Sequence, residues 1–244
     1  MPNDWAVSIP FGQEKVVSTV RHERKLGTIG YTPDGRKFRW ALADGAIGAG
    51  QVVAAKVPIA AHDMDLSVLA AAVGDMTVTV TIPTTATTAN QYEDAPLYVN
   101  DGAGEGHLYI VKSHPAGAAG SNVVFTLWEP IREAWVAATT LVGLYENRYF
   151  DVVVSPTTTV NQIVGVAPTE IANNEYFWVQ TGGQASVLVD GTLVLGQMVQ
   201  PSQGTAGAVI AADFSGTTEW QLLGVVDGVL AVTTDYQSIK LFID

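Results

Sequence analysis

The 244-residue chain carries twelve Lys and Arg against twenty-four Asp and Glu, a formal net charge of −12, and has no cysteine. A chain of this length holds one large β domain or two smaller ones and buries about 70–75% of its unfolded surface without a staple. The missing cysteines exclude disulfides and thiolate metal sites. Charged residues are only 15% of the sequence, against about 25% in ordinary soluble domains. That deficit points to a surface covered by other protein, or to one built from Thr, Ser, Asn and Gln.

The charge is unevenly placed. Residues 1–40 hold Lys15, Arg21, Arg24, Lys25, Arg36, Lys37 and Arg39 against Asp4, Glu14, Glu23 and Asp34, a net of +3 that leaves −15 for the rest. A basic, extended N-terminal arm ahead of an acidic body suits a segment that reaches onto a partner. Arg21, Arg24, Lys25, Arg36, Lys37 and Arg39 are then its candidate partner-binding residues. A solvated strand of alternating charge accounts for the same residues. The acidic remainder would repel phosphates, so direct contact with nucleic acid is not expected. Met1–Trp5 has no basic n-region and no apolar h-region, and no window approaches 18 uninterrupted apolar residues. The expectation is a chain made in the cytoplasm, without a membrane span.

Along the chain, Pro10-Phe11-Gly12 and Thr32-Pro33-Asp34-Gly35 are turn signals. Arg36–Leu42 then alternates polar and apolar with period two, a half-buried strand after a hairpin turn. Gly48-Ala49-Gly50 leads into a strand beginning at Gln51. Met76–Ile82 alternates apolar residues with threonine and is closed by Pro83, so it reads as a strand with one apolar face and one threonine face. Leu97–Val99, a glycine-rich tip around Gly102, Gly104 and Gly106, and His107–Val111 form a hairpin. Val123–Trp128 follows as a strand. Two short segments, Leu66–Val73 and Ile131–Ala138, are the helix candidates.

The last hundred residues hold short strand candidates at 152–154, 163–166, 176–180, 185–189, 198–199, 222–226 and 229–232. Gly182-Gly183, Asp190-Gly191, Gly204 and Asp227-Gly228 punctuate them as turns. This spacing predicts an all-β sandwich or barrel of short antiparallel strands with little helix. The expected organisation is a basic arm and first hairpin over 1–40, a β-rich domain over 41–145 and a β-rich barrel or sandwich over 146–244. The last two are readable also as one continuous unit.

Chemistry-bearing patterns are sparse. His62-Asp63-Met64-Asp65 offers imidazole and carboxylates but no metal-site spacing, and reads as a polar loop. The Gly102–Gly106 run lacks the Lys and the helix of a phosphate loop. No nucleophile elbow is present, and Glu93-Asp94 would point to opposite faces of a strand. Trp40, Trp128 and Trp178 lie in apolar runs that suit core packing. No cofactor and no catalytic activity are expected.

Tyr176–Gly183 with Ala185–Val189, Asp190-Gly191 and Gly196–Val199, together with Asp34–Ala41 and Gly48-Ala49-Gly50, resembles virion structural proteins of tailed bacteriophages, in particular the β-rich decoration or cement proteins of the head. The resemblance implies a capsid-exterior protein, often trimeric at local threefold axes, whose partner is the major capsid protein. Two other readings stay open: a receptor- or glycan-binding module of a tail or fibre, and a β-fold hydrolase. A shell or tail-tube role is a structural variant, although no long spine helix is legible.

Overall fold

A computed structural model of the protein describes residues 6–22, 24–158, 161–215, 220–231 and 233–244. Strands β1 (Ala6–Ser8), β2 (Ile29–Tyr31), β3 (Lys37–Leu42) and β4 (Val52–Ala54) come first. Then follow β5 (Leu66–Ser67), β6 (Thr77–Thr81), β7 (Pro96–Asp101), β8 (Leu108–Ser113), β9 (Asn122–Leu127) and β10 (Leu141–Leu144). The chain continues with β11 (Val153–Val154), β12 (Ile163–Val166), β13 (Tyr176–Leu188), β14 (Leu193–Val194), β15 (Met198–Pro201) and β16 (Val209–Ala211). It ends with β17 (Gly224–Val226), β18 (Leu230–Ala231) and β19 (Tyr236–Phe242). Among the described residues, helix is confined to a 3-10 turn at Gln13–Lys15 and one α-turn at Ala60–Asp63. The fold is all-β, as the alternation in the sequence predicts.

The chain forms two units, and their boundaries differ from those expected. A body is made of Met1–Lys56 and Arg148–Asp244, and the unit Val57–Asn147 is inserted into it. The leading segment is therefore no separate arm. β1 pairs with β2 and β2 with β3, while Ile9, Leu26, Phe38 and Trp40 are at most 3% exposed in the body's core. Burying four such side chains stabilises the fold by roughly 1.5–3 kcal/mol each, which outweighs the freedom of a detached arm.

The body's main sheet runs β1-β2-β3-β13-β19-β17-β15-β16. Its spine is β13, thirteen residues long, where the sequence suggested two strands separated by a Gly182-Gly183 turn. The glycines make a bulge instead. Register shifts between Gln180 and Gly182, and Gly183 takes φ +80° with its Cα hydrogen facing the Arg36 backbone. A bulge bends a strand and does not reverse it. Before it, β13 pairs with β3; after it, with β19. A parallel bridge from Val189 to Val209 brings the far end of β13 against β16, so the C-terminal strands nearly close on themselves.

Two cores result. Phe38, Trp40, Ala41, Val164, Phe177 and Val179 fill one, and Val187, Val199, Val209, Leu223, Ile239 and Leu241 fill the other. β4 lies between them and serves both: Val53 and Ala55 face the first, Val52 and Ala54 the second. A strand apolar on both sides loses its alternation, and all three residues of β4 are buried.

In the inserted unit the order is β5-β10-β7-β8-β9-β6, and a Val68–Val80 bridge joins the two ends into a small barrel. In β6 Val78 and Val80 point inward and Thr77, Thr79 and Thr81 outward, the expected arrangement. The two helix candidates are not helices. Leu66 and Val68 enter the core on alternate positions, and Ala71 forms an antiparallel bridge to Trp135, so the two segments satisfy each other's backbone groups. Trp135 is 1% exposed, and its burial against the barrel decides the conformation over local helix propensity.

Candidate functional site

After β1 the chain turns at Pro10-Phe11-Gly12 and crosses one face of the sheet before returning as β2. Glu14 anchors this crossing. It is 4% exposed; Gly12 N–H donates to its Oε2 at 2.6 Å and Arg36 Nη2 to its Oε1 at 3.2 Å. Further on, Ser18 and Tyr176 exchange backbone hydrogen bonds of 2.9 and 2.7 Å, fixing the crossing to the start of β13.

Between this crossing and the sheet lies a groove of about 710 Å³ lined by Ser8, Ile9, Val16, Ser18, His22, Arg24, Trp40 and Trp178, among others. Its floor follows from register. Trp40 on β3 is directly opposite Trp178 on β13, and their rings meet edge to face at 5.0 Å. Tyr176 stacks on Trp40 at 6.2 Å. The Arg24 guanidinium sits 5.1 Å from the Trp40 ring centre and 5.7 Å from that of Trp178, a cation over two electron-rich faces. His22, in the left-handed region at φ 56°, lies 3.0 Å from the Ser18 hydroxyl through Nε2. The Trp40 indole N–H is buried and has no acceptor, although buried polar groups are normally paired. The part of the groove open to solvent therefore offers apolar side chains and the Arg24 cation, while the Trp40 N–H lies behind its surface.

The six candidate basic residues fall into two groups. Arg21, Arg24 and Lys25 stay with the crossing segment; Arg21 Nε donates to the Arg24 carbonyl at 3.2 Å, and the Lys25 carbonyl caps the Thr28 turn. Arg36, Lys37 and Arg39 are wired into the body. Arg36 bridges Glu14 and, at 2.8 Å, Asp34; Lys37 and Arg39 both pair with Asp244, Lys37 at 3.4 Å. Burial works against ionisation of Asp244, but the Arg39 and Lys37 charges prevail and hold its carboxyl below the usual value. Lys37 and Arg39 thus hold the hairpin to Asp244, and Arg36 holds it to Glu14. Period two places Trp40 and Trp178 on inward faces, but only register reveals that they are opposite each other. Nothing in the sequence marks Glu14 as an internal anchor.

The inserted unit holds a second polar cluster, absent from the sequence reading except for His62. The α-turn buries His62 completely. Its Nε2 is 2.7 Å from the Thr85 carbonyl, which can only accept, so the proton is on Nε2 and Nδ1 accepts from the Tyr92 hydroxyl at 2.5 Å. Tyr92 N–H in turn donates to His114 Nε2 at 3.0 Å, which leaves the His114 proton on Nδ1, 2.8 Å from the Pro115 carbonyl. Burial lowers the His114 pKa, against smaller opposing effects of the Pro115 carbonyl and Glu93. Burial and the Glu146 charge push the Tyr92 hydroxyl up. With both ring nitrogens of each histidine engaged, the cluster is a structural lock on the barrel. Asp94, 5% exposed, accepts from Trp128 Nε1 at 3.3 Å, so the Glu93-Asp94 pair is divided between surface and interior. The Gly102–Gly106 run is a tight tip, with Gly102, Gly104 and Gly106 all at positive φ. Among the described residues no group of three or more His, Asp or Glu is placed to hold a metal ion, and no helix is long and apolar enough to cross a membrane.

No protein-family model matches the chain, and neither a curated protein nor a solved structure matches it at a significant level.

Proposed function

We propose that the chain is a non-catalytic structural protein of a tailed-bacteriophage virion: a capsid decoration protein that binds the outside of an icosahedral head as a homo-oligomer, a trimer, with the major capsid protein as its partner. One observation carries the reading. The surface combines few charges, 15% of residues, with twenty exposed large apolar side chains among those described, including Phe11, Val20, Leu195, Phe214 and Val229 at 58–77%. Such a surface offers neighbouring subunits apolar side chains to cover at little cost in buried charge. The resemblance of Asp34–Ala41 and Tyr176–Gly183 to phage head proteins supports a capsid neighbour, and Arg21, Arg24 and Lys25 would dock on an acidic shell. Many copies of one weak contact stabilise a particle by mass action, so no single contact has to be strong. Trp40 and Trp178, 2% and 4% exposed, offer no open aromatic platform of the kind a glycan module uses.

Co-sedimentation with DNA-free heads of the parent phage tests this. Deleting the first thirty residues is a poor probe, because it removes β1 and most of β2 from the sheet and Ile9 and Leu26 from the core. Substitution is better: wild type pellets with shells to saturation, and Arg21→Gln with Lys25→Gln lowers occupancy while the circular-dichroism spectrum stays that of the folded protein. A wild-type protein that stays in the supernatant at every shell concentration refutes the proposal.

A further inference from the structure

Where β13 bends at its bulge, the body has a second pocket, of about 330 Å³, that shares no residue with the groove. Segments 49–50 and 166–168 line it together with Lys15, Arg36, Ser186 and Tyr236. Gly50, at φ +72°, lets the Tyr236 ring lie against its backbone, where a Cβ would come within 2.6 Å of the ring. Gln180, 3% exposed, also lines the pocket. Its Nε2 donates to the Gly182 carbonyl at 3.2 Å and to the Gln184 carbonyl at 2.8 Å. Carbonyls only accept, so the orientation of the amide is fixed, and its Oε1 has no protein donor among the described residues. Buried acceptors are ordinarily paired. The two cations of the pocket differ in the same way. Arg36 is engaged by Glu14 and Asp34, whereas Lys15, exposed beside it, has no carboxylate partner among the described residues.

We propose that this pocket binds a sugar acid, a single pyranose unit carrying one carboxylate. The Gln180 Oε1 asks for a hydroxyl donor and Lys15 for an anion, while the Ser186 hydroxyl can serve either. The exposed Tyr236 ring offers an apolar surface to the C–H face of a sugar. Other ligand classes leave one of these groups unmet. An inorganic anion would set its charge against the Gln180 carbonyl oxygen. A phosphorylated ligand brings nearly two charges to one free ammonium, with Glu14 and Asp34 close behind Arg36. A neutral sugar answers Gln180 but not Lys15, and an apolar ligand would bury both without partners. The volume lies at the lower end of the roughly 300–1,000 Å³ span of small-molecule sites, which suits one sugar unit and no longer chain. The proposal adds a ligand to the structural protein described above and does not rest on shell binding.

Saturation-transfer difference NMR of the full chain tests it, with glucuronate, galacturonate and N-acetylneuraminate as probes. Each is run as the free acid and as its methyl glycoside, with the methyl ester as the uncharged counterpart and N-acetylaspartate as a carboxylate that is not a sugar. At least one sugar acid is expected to bind saturably, and its ester about five-fold more weakly or worse. Lys15→Gln should erase that preference and leave ester binding as it was. Ser186→Trp, at an exposed position lining the pocket, should abolish binding of both while circular dichroism stays that of the folded protein. The wild-type protein carries a readout free of any variant's folding: the Gln180 side-chain amide resonances should shift on titration, and those of Gln200, buried outside the pocket, should not. Binding of the methyl glycoside as well as the free acid marks the end of a glycan as the ligand, and binding of the free acid alone marks a free sugar acid. No transfer from any of the three sugar acids, equal affinity for acid and ester, unmoved Gln180 resonances, or N-acetylaspartate binding as tightly as the sugar acids overturns the proposal. A protein that binds a sugar acid and ignores shells would refute decoration alone; one that binds shells and no sugar acid would refute this pocket alone.

Discussion

Replacing Glu14 by Gln should loosen the segment that walls the groove, by an amount the geometry sets. Removing one partner from a fully buried ion pair costs about 3–5 kcal/mol. Here Glu14 is 4% exposed but Arg36 is 20% exposed and keeps Asp34 at 2.8 Å, so the stranded cation is partly solvated and partly paired. The amide also retains an acceptor for the Gly12 N–H. The expected cost of Glu14→Gln is therefore about 1–2 kcal/mol, and that of Glu14→Ala, which removes the Gly12 bond as well, about 2–3 kcal/mol. Asp34→Asn, at a residue whose side chain is 43% exposed, should be close to neutral. Hydrogen exchange reads the effect locally: the Lys15 and Val16 amides, bonded to the Gly12 and Gln13 carbonyls, should exchange about 5–30-fold faster in Glu14→Gln. Unchanged exchange, or an equal effect of Asp34→Asn, would refute the view that a buried charge holds the crossing in place.

Three further outcomes follow from the same structure. Folded His114 binds a proton less readily than the unfolded chain, whose value is near 6.5; proton uptake on unfolding then favours the unfolded state below that pH. Stability should fall as pH drops from about 6.5 towards the lowered value, and thermal melts of His114→Gln, whose amide donates and accepts without titrating, should show a shallower slope there. Gly183→Ala places a side chain at φ +80° with its Cβ 3.1 Å from the Arg36 Cα and should lower stability by about 1–2 kcal/mol in urea titration. Finally, residues 57–147 have their own core and a closed barrel, so this segment expressed alone should give a β circular-dichroism spectrum and a cooperative melt. A random-coil spectrum would show that the barrel depends on the body.

What could be read from the sequence was set by how many faces each strand shows to water. β6 and β3 have one wet face, so Thr77–Thr81 and Lys37–Leu42 announce themselves by alternation. β4 has none, and Val52-Val53-Ala54 carries no period. β19 alternates, with Ile239 and Leu241 inward, but Gln237, Ser238 and Lys240 dilute the apolar signal; the chain's central partner for β13 was missed for that reason. The paired glycines at 182–183 imitate a hairpin turn, and only the thirteen-residue pairing of β13 shows them to be a bulge. The insertion was invisible because its boundaries, near Lys56 and Arg148, carry no compositional shift. Of the site, the basic residues were legible as a group, but which face salt-bridge partners and which face the groove depends on contacts with Glu14, Tyr176 and Asp244 that sequence distance hides.

For the proposed decoration role, the most direct measurement is occupancy on a particle: label-free quantification of the protein on DNA-free tailed-phage heads, titrated to saturation, with cryo-electron microscopy of the saturated heads. The account predicts a fixed stoichiometry and density on the outer shell surface, with the groove end of the body inside contacts. Heads that bind none at saturating concentration, or protein found only at the tail, would contradict it.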